Sequence, residues 1–307
     1  MKDRALRNKT ISLSSKEEIA LAGQAIKFSP QKKIDDLNDK IVWQDTFYAL
    51  RYLPDNFVDL MVVDPPYNLT KNFGNSTFRQ MQSGDYCKWL DKWLSKVKRV
   101  LKPNASLYIC TDWKSSIMLP QIACKYFILQ NRISWEREKG RAARNNWKNC
   151  LEDIWFFSNS KDYKFNLDAV KVQKKVLAPY CDNKGTPKDW YEEAGTKIRY
   201  TAPSNIWTDI TIPFWSMPEN TDHPTQKPEK LIAKLILASS DVGDMVFDPF
   251  VGSGTTAVVA KKLGRRYLGI ERERKYVALA IKRLQDAENN KNIQGYEDGV
   301  FKNRNSL

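Results

Sequence analysis

Two kinds of hydrophobic spacing alternate along the chain. Ile41-Val42-Trp43 is a short apolar run closed by polar Gln44-Asp45-Thr46, and Phe47, Leu50 and Leu53 then recur at helical intervals. That pattern predicts a strand followed by a helix. Val58 to Val63 is apolar except for Asp59 and stops at Asp64-Pro65-Pro66-Tyr67, where two consecutive prolines must end any strand ladder. Trp89, Leu90, Trp93, Val97 and Val100 predict a helix ending near Lys102-Pro103-Asn104, and Ser106 to Cys110 predicts the next buried strand. From Lys161 to Asn220 the period is lost in a polar, aromatic stretch broken by Pro and Gly. Alternation then resumes, with a helix through Leu231, Ile232, Leu235 and Ile236, a strand at Met245 to Phe247, a helix from Thr255 and a strand at Tyr267 to Ile270. Ile19 to Ile26 fits a short helix, and the charged tail after Leu284 reads as fraying.

Strands alternating with helices predict an α/β, doubly wound, mostly parallel sheet. The chain divides into a basic N-terminal extension (1–33), a first core part (34–160), an inserted region (161–220), a second core part (221–285) and a charged tail (286–307). At 307 residues and 42% hydrophobic, it can bury one such core and carry a smaller appended module.

Charge adds a partner to this picture. The formal net charge of +14, from 50 Lys+Arg against 36 Asp+Glu, suits a polyanion such as nucleic acid, with a solvated basic surface as the plain alternative. The five cysteines are odd in number and form no metal-like spacing with the single His223, so reduced thiols and no metal are expected. No signal-peptide pattern opens the chain and no stretch reaches about 18 uncharged apolar residues, so a soluble protein without a membrane partner is expected, cytoplasmic, or nuclear in a eukaryote.

Two loops carry candidate chemistry. Asp248-Pro249-Phe250-Val251-Gly252-Ser253-Gly254-Thr255-Thr256 lies between a strand and a helix, where glycines allow close backbone approach and helix N-terminal amides face a ligand. Glu271 ends the next strand about 20 residues on, where an acid commonly accepts ribose hydroxyls in doubly wound folds. The loop lacks the longer glycine pattern of dinucleotide enzymes, which favours another nucleoside cofactor. A tight turn with a solvated acid is the alternative. Asp64-Pro65-Pro66-Tyr67, at the carboxyl end of its strand, offers a carboxylate, a rigid carbonyl and an aromatic face. That set suits an extruded base, because accepting both N–H groups of an exocyclic amine would localise its lone pair for methyl transfer. A proline turn with a core Tyr is the other reading.

Together with His223-Pro224-Thr225-Gln226-Lys227-Pro228, these loops resemble the circularly permuted β group of bacterial amino-methylating DNA methyltransferases, over roughly Lys40 to Leu284. The resemblance implies a seven-stranded Rossmann-like methyltransferase sheet, S-adenosylmethionine as cofactor, double-stranded DNA as substrate, and 161–220 as the target-recognition region. It places Asp64, Pro65, Pro66 and Tyr67 at the base, and Asp248, Phe250, Gly252, Ser253, Gly254 and Thr255 at the cofactor. It also places Glu271 at the ribose, Asp45 near the adenine, and His223, Thr225 and Lys227 at the methionine end. Asp at the head of the catalytic loop resembles adenine-N6 more than cytosine-N4 enzymes, while cytosine N4 and RNA stay open as targets, as does a DNA-binding module without activity. A homodimer and a cognate restriction endonuclease are compatible partners.

Arg137, Lys139, Arg141, Arg144 and Lys148, interleaved with Trp135 and Trp147, form a basic, aromatic segment suited to phosphate contact and base stacking. A solvated loop with two core tryptophans is the alternative. In the 161–220 region, Lys174, Lys197, Arg199, Tyr191 and Tyr200 continue the same composition.

Overall fold

The computed structural model describes residues 6–30, 36–73, 76–137, 145–177, 179–193 and 195–302. In chain order it runs through α1 (Ser15–Ala22), β1 (Lys40–Trp43), α2 (Thr46–Ala49), β2 (Val58–Val63), the hairpin β3 (Lys71–Phe73) and β4 (Ser76–Phe78), α3 (Ser83–Val100) and β5 (Leu101–Asp112). Next come α4 (Leu119–Ala123), β6 (Ile128–Glu136), β7 (Leu151–Ser158), β8 (Val172–Lys175), β9 (Tyr191–Glu193), β10 (Thr196–Thr201) and β11 (Ile206–Trp207). The chain continues with α5 (Glu229–Ser239), β12 (Met245–Asp248), α6 (Thr255–Lys262), β13 (Arg266–Glu271), α7 (Arg274–Asn289), β14 (Tyr296–Glu297) and β15 (Val300–Phe301).

Eight strands form the central sheet in the order β1-β13-β12-β2-β5-β7-β6-β11. Only β7 runs antiparallel to its neighbours, so the expected doubly wound, mostly parallel α/β architecture is present. The eighth strand, one more than expected, is two-residue β11, which adds to β6 at the sheet edge. Period-two alternation sends successive side chains of β2 to opposite faces. Leu60 and Val62 pack with α5, α6 and α7, whereas Met61 and Val63 pack with α3, whose buried stripe is Tyr86, Leu90, Trp93, Leu94, Val97 and Val100.

This topology brings the candidate loops together. The parallel strands β1, β13, β12 and β2 are neighbours, so their carboxyl ends place Asp45, Glu271, the 248–255 loop and the 64–67 loop side by side. Antiparallel β7 brings its amino end to the same edge, with Glu152 opposite Asp112 of β5.

Beyond the core, β14-β15-β8-β10-β9 form a second, five-stranded sheet. The tail expected to fray contributes to it: α7 continues to Asn289, and β15 pairs with β8. Burial of Ile293 and Phe301 gives the tail the apolar contacts that ordering requires. At the other end, the short helix expected around Ile19 is α1, closed by a Ser14–Glu17 capping box and packed on α7.

Candidate active site

The Asp64-Pro65-Pro66-Tyr67 loop is held from three sides. The Tyr86 hydroxyl of α3 donates to the Pro66 carbonyl at 3.0 Å, the Asn68 amide nitrogen donates to Ser115 Oγ at 3.1 Å, and the Asn68 side chain bridges to the Met81 backbone. Within the loop, the Tyr67 hydroxyl donates to Asp64 Oδ1 at 2.6 Å. Asp64 Oδ2 accepts from the Lys227 ammonium at 2.6 Å, and that ammonium also reaches the Tyr67 oxygen at 3.1 Å. The 223–228 segment, which precedes α5, thus delivers a cation to the head of the Asp-Pro-Pro-Tyr loop.

Glu152 joins the same cluster. Its Oε2 lies 3.3 Å from Lys227 Nζ and 3.4 Å from the Tyr67 hydroxyl, while Oε1 pairs with Arg137 at 2.6 Å. Burial pushes the Asp64 carboxyl above the usual carboxylate range, against the pull of Lys227 and with a further push from Glu152. For Lys227, burial opposes the charge, but Asp64 and Glu152 outweigh it and raise the ammonium above its ordinary value. Lys227 therefore stays charged. The Tyr67 hydroxyl is pushed well up by burial and by both carboxylates.

The second loop is shaped by its glycines and acids. Asp248 closes the turn: Oδ1 accepts from the Phe250 amide at 2.9 Å and Oδ2 from the Thr256 hydroxyl at 2.7 Å. Gly252 has φ +54° and Gly254 +87°, a region that L side chains rarely adopt. The Gly252 amide donates to Glu271 Oε2 at 3.1 Å, and Glu271 Oε1 accepts from the Arg272 and Glu273 amides at 2.8 Å each. Burial raises both Asp248 and Glu271 to about 7. His223 lies directly under Gly252 and packs edge-on to Tyr276, with ring centroids 4.4 Å apart. Burial, followed by nearby cations, lowers His223 to about 3, so it is neutral. Buried Arg283 of α7 braces the loop from below, donating to the Ser253 carbonyl at 3.0 Å, the Thr255 hydroxyl at 2.9 Å and Glu229 at 2.8 Å.

The residues expected at the cofactor separate into groups. Gly252, Ser253, Gly254, Thr255, Glu271 and His223 share one cradle, with Thr225 tied to it because its amide donates to His223 Nδ1 at 3.3 Å. Phe250 turns toward Trp89 and Trp93, with centroids at 5.9 and 5.7 Å. Asp45 caps α2 by accepting from the Tyr48 amide at 3.2 Å. Lys227, expected at the methionine end, pairs with Asp64 and Glu152, because a buried ammonium requires an anion in contact.

The basic segment also divides. Trp135 is 1% exposed on β6 and donates its indole N–H to the Ile210 carbonyl at 2.9 Å, whereas Trp147 is 92% exposed. Arg137 is paired with Glu152, and Lys148 is exposed. Lys139, Arg141 and Arg144 lie outside the described residues. Among the described residues, no group of three or more His, Cys, Asp or Glu side chains is placed to hold a metal ion, and no helix is long and apolar enough to cross a membrane.

A family model described as DNA methylase matches residues 58–282. The DNA adenine methyltransferase YhdJ of Escherichia coli (strain K12) is 34% identical over 254 residues, covering 80% of this chain and 83% of that protein. The type II methyltransferase M.HpaI of Haemophilus parainfluenzae is 34% identical over 259 residues, covering 83% and 76%. Among solved structures, the PvuII DNA methyltransferase, titled cytosine-N4-specific, aligns with a TM-score of 0.59 at 19% identity, over 82% of this chain and 92% of that one. A putative DNA modification methylase of Thermus thermophilus, solved in complex with S-adenosyl-L-methionine, aligns with a TM-score of 0.56 at 21% identity, over 85% and 97%. At these identities the two structures show a shared fold.

Proposed function

This chain belongs to the DNA methylase family, and from that premise we propose that it transfers a methyl group from S-adenosylmethionine to N6 of an adenine extruded from duplex DNA. The observation that carries the target is the Asp64-Pro65-Pro66-Tyr67 loop, which sets a carboxylate, a backbone carbonyl and a fixed aromatic ring at one strand end. Asp at its head and the adenine named for YhdJ support N6 over cytosine N4. Radiolabelled methyl transfer to duplex DNA, followed by digestion to nucleosides and mass spectrometry, tests the reading. N6-methyl-2′-deoxyadenosine is expected, N4-methyl-2′-deoxycytidine would make cytosine the target, and label entering RNA but not DNA in a parallel assay would exclude DNA.

The 252–255 loop suits the cofactor, since Gly252 and Gly254 take left-handed backbone conformations at the amino end of α6 and carry no side chain to keep a ligand from the backbone. Gly252, Ser253, Gly254 and Thr255 would hold it at the α6 amino end, and Glu271 would take the ribose hydroxyls. When bound, S-adenosylmethionine supplies a methyl on a positively charged sulfur. Asp64 and the Pro65 carbonyl accept the two amino N–H groups and localise the nitrogen lone pair, and Tyr67 supports the ring. Catalysis is positional and electrostatic, with no covalent enzyme intermediate.

Glu271 gives cofactor binding a pH dependence. Raised from 4.5 to about 7, it is largely protonated below neutrality in the free protein and becomes a full acceptor on losing that proton. Affinity should rise with pH up to about 7 and level off above it, with proton release on binding at about pH 6 and little at about pH 8. Calorimetry in two buffers of different ionisation enthalpy measures this. Equal affinity and no proton release at the lower pH would remove Glu271 from the ribose.

The 161–220 region and the 137–148 segment are proposed to track DNA phosphates, supported by the net charge of +14. DNA affinity should fall with salt at a log–log slope of about −0.9 per phosphate neutralised, and Arg141→Ala with Arg144→Ala should flatten that slope by about one to two units. Titrations at several salt concentrations measure it. An unchanged slope returns the segment to solvated surface. The type II name of M.HpaI supports a cognate restriction endonuclease as partner. A homodimer and a cytoplasmic location complete the proposal.

A further inference from the structure

The cluster at Asp64 holds one cation and one acid more than amino-group acceptance requires. Asp64 Oδ2 is already taken by the Lys227 ammonium at 2.6 Å, and Oδ1 by the Tyr67 hydroxyl at 2.6 Å. The ammonium is itself an N–H donor, lying 5.4 Å from the centroid of the Tyr67 ring. Beside the hydroxyl edge of that ring, it therefore occupies the Asp64 acceptor oxygen that a base amino group must take. A charged group only 7% exposed cannot simply be released, because a buried ammonium without an anion is costly. A second anion must lie within reach. Glu152, 8% exposed, stands 3.3 Å from the same ammonium, with its other oxygen fixed by Arg137 at 2.6 Å.

We propose that Lys227 is an exchangeable placeholder, filling the Asp64 acceptor site until the target amino group arrives and then passing to Glu152, which is thereby a positioning residue for the reaction. This rests on the reading of Asp64 as the amino-group acceptor. Before the base enters, the ammonium opposes the upward push of burial on the Asp64 carboxyl. The exchange also discriminates, since a base without a suitably placed amino group offers Asp64 nothing in return for the ammonium it displaces.

The titratable and charged groups around Asp64 are Tyr67 in its own loop, Tyr86 on α3, whose hydroxyl burial pushes up, Cys110 on β5, Arg137 after β6, Glu152 on β7, Lys227 before α5 and Asp248 at the end of β12. Cys110 and Tyr67 are pushed well up by burial and stay neutral. Asp248 is held by Thr256 and the Phe250 amide. Lys227 and Glu152 therefore act on Asp64 with opposite sign. Lys227→Met should move the acid limb of the kcat/KM profile to higher pH, because Asp64 loses its cation. Glu152→Gln should move it to lower pH, because Asp64 loses a like charge.

The test compares wild type, Glu152→Gln, Lys227→Met and the double variant on genomic DNA from a methylation-free host. Glu152→Gln should lower kcat/KM for DNA by about tenfold or more with cofactor affinity unchanged, and the double variant should be no slower than Lys227→Met alone. Glu152→Asp, which keeps the anion, should recover part of the loss and hold the limb near its wild-type position. An unchanged rate in Glu152→Gln, or losses that multiply in the double variant with neither limb moved, overturns the exchange. Asp64→Ala, which removes the acceptor, separates the two levels. If turnover stays within about tenfold of wild type, the acceptor reading itself fails, and if it is inactive while the losses multiply, only the exchange fails.

Discussion

Asp64→Ala should reduce methyl transfer by about a thousandfold or more while leaving S-adenosylmethionine affinity within about threefold. The asymmetry follows from geometry. Asp64 faces Tyr67 and Lys227, whereas the cofactor cradle is built from Gly252 to Thr255, His223 and Glu271. Transfer leaves positive charge on the amino nitrogen, and a carboxylate in contact stabilises that charge more in the transition state than in the ground state. Lys227 retains Glu152 as a partner in this variant, and thermal melting establishes that it is folded. Cofactor binding by calorimetry and single-turnover methylation provide the two readouts. Turnover within tenfold of wild type would remove Asp64 from the mechanism.

Gly252→Val should produce the opposite split, with cofactor affinity weakened by about a hundredfold. Two effects add. A β-branched residue at φ +54° is strained, and its Cβ would stand 2.9 Å from His223 Nε2. The imidazole has little room to retreat, since Tyr276 packs edge-on against it and Phe73 lies 6.2 Å away. The Gly252 amide, which holds Glu271 in place, would shift as well. Thermal melting establishes that the variant is folded, and binding titration measures the loss. Wild-type affinity in a folded variant would mean that this loop does not hold the cofactor.

Much of this arrangement is legible in the residues. The switches between period two and helical period at Val63 and Phe247 mark where strands end, and a doubly wound sheet gathers such ends at one edge. Asp64, Gly252 and Glu271 are placed by that logic alone. Glu152 is not, because an acid at the start of an apolar strand says nothing about which cation it meets. Its partner Lys227 lies 75 positions away and arrives from before α5. Lys227 shows the same limit: a lysine beside a cofactor motif can turn either way, and the buried Asp64–Glu152 pair decides it. Trp135 and Trp147 look alike in sequence, yet the first points inward from β6 and the second is exposed. The tail escapes notice because β14 and β15 are two residues each, too short for any periodic signal, and are ordered through β8.

The most direct test of the central claim is sequencing with modification detection on DNA from a methylation-free host expressing this chain, beside the same host expressing Asp64→Ala. N6-methyladenine at one short sequence throughout the genome, absent with Asp64→Ala, is the expected result. Unmodified DNA with the folded wild-type protein present, or modification on cytosine alone, would contradict it.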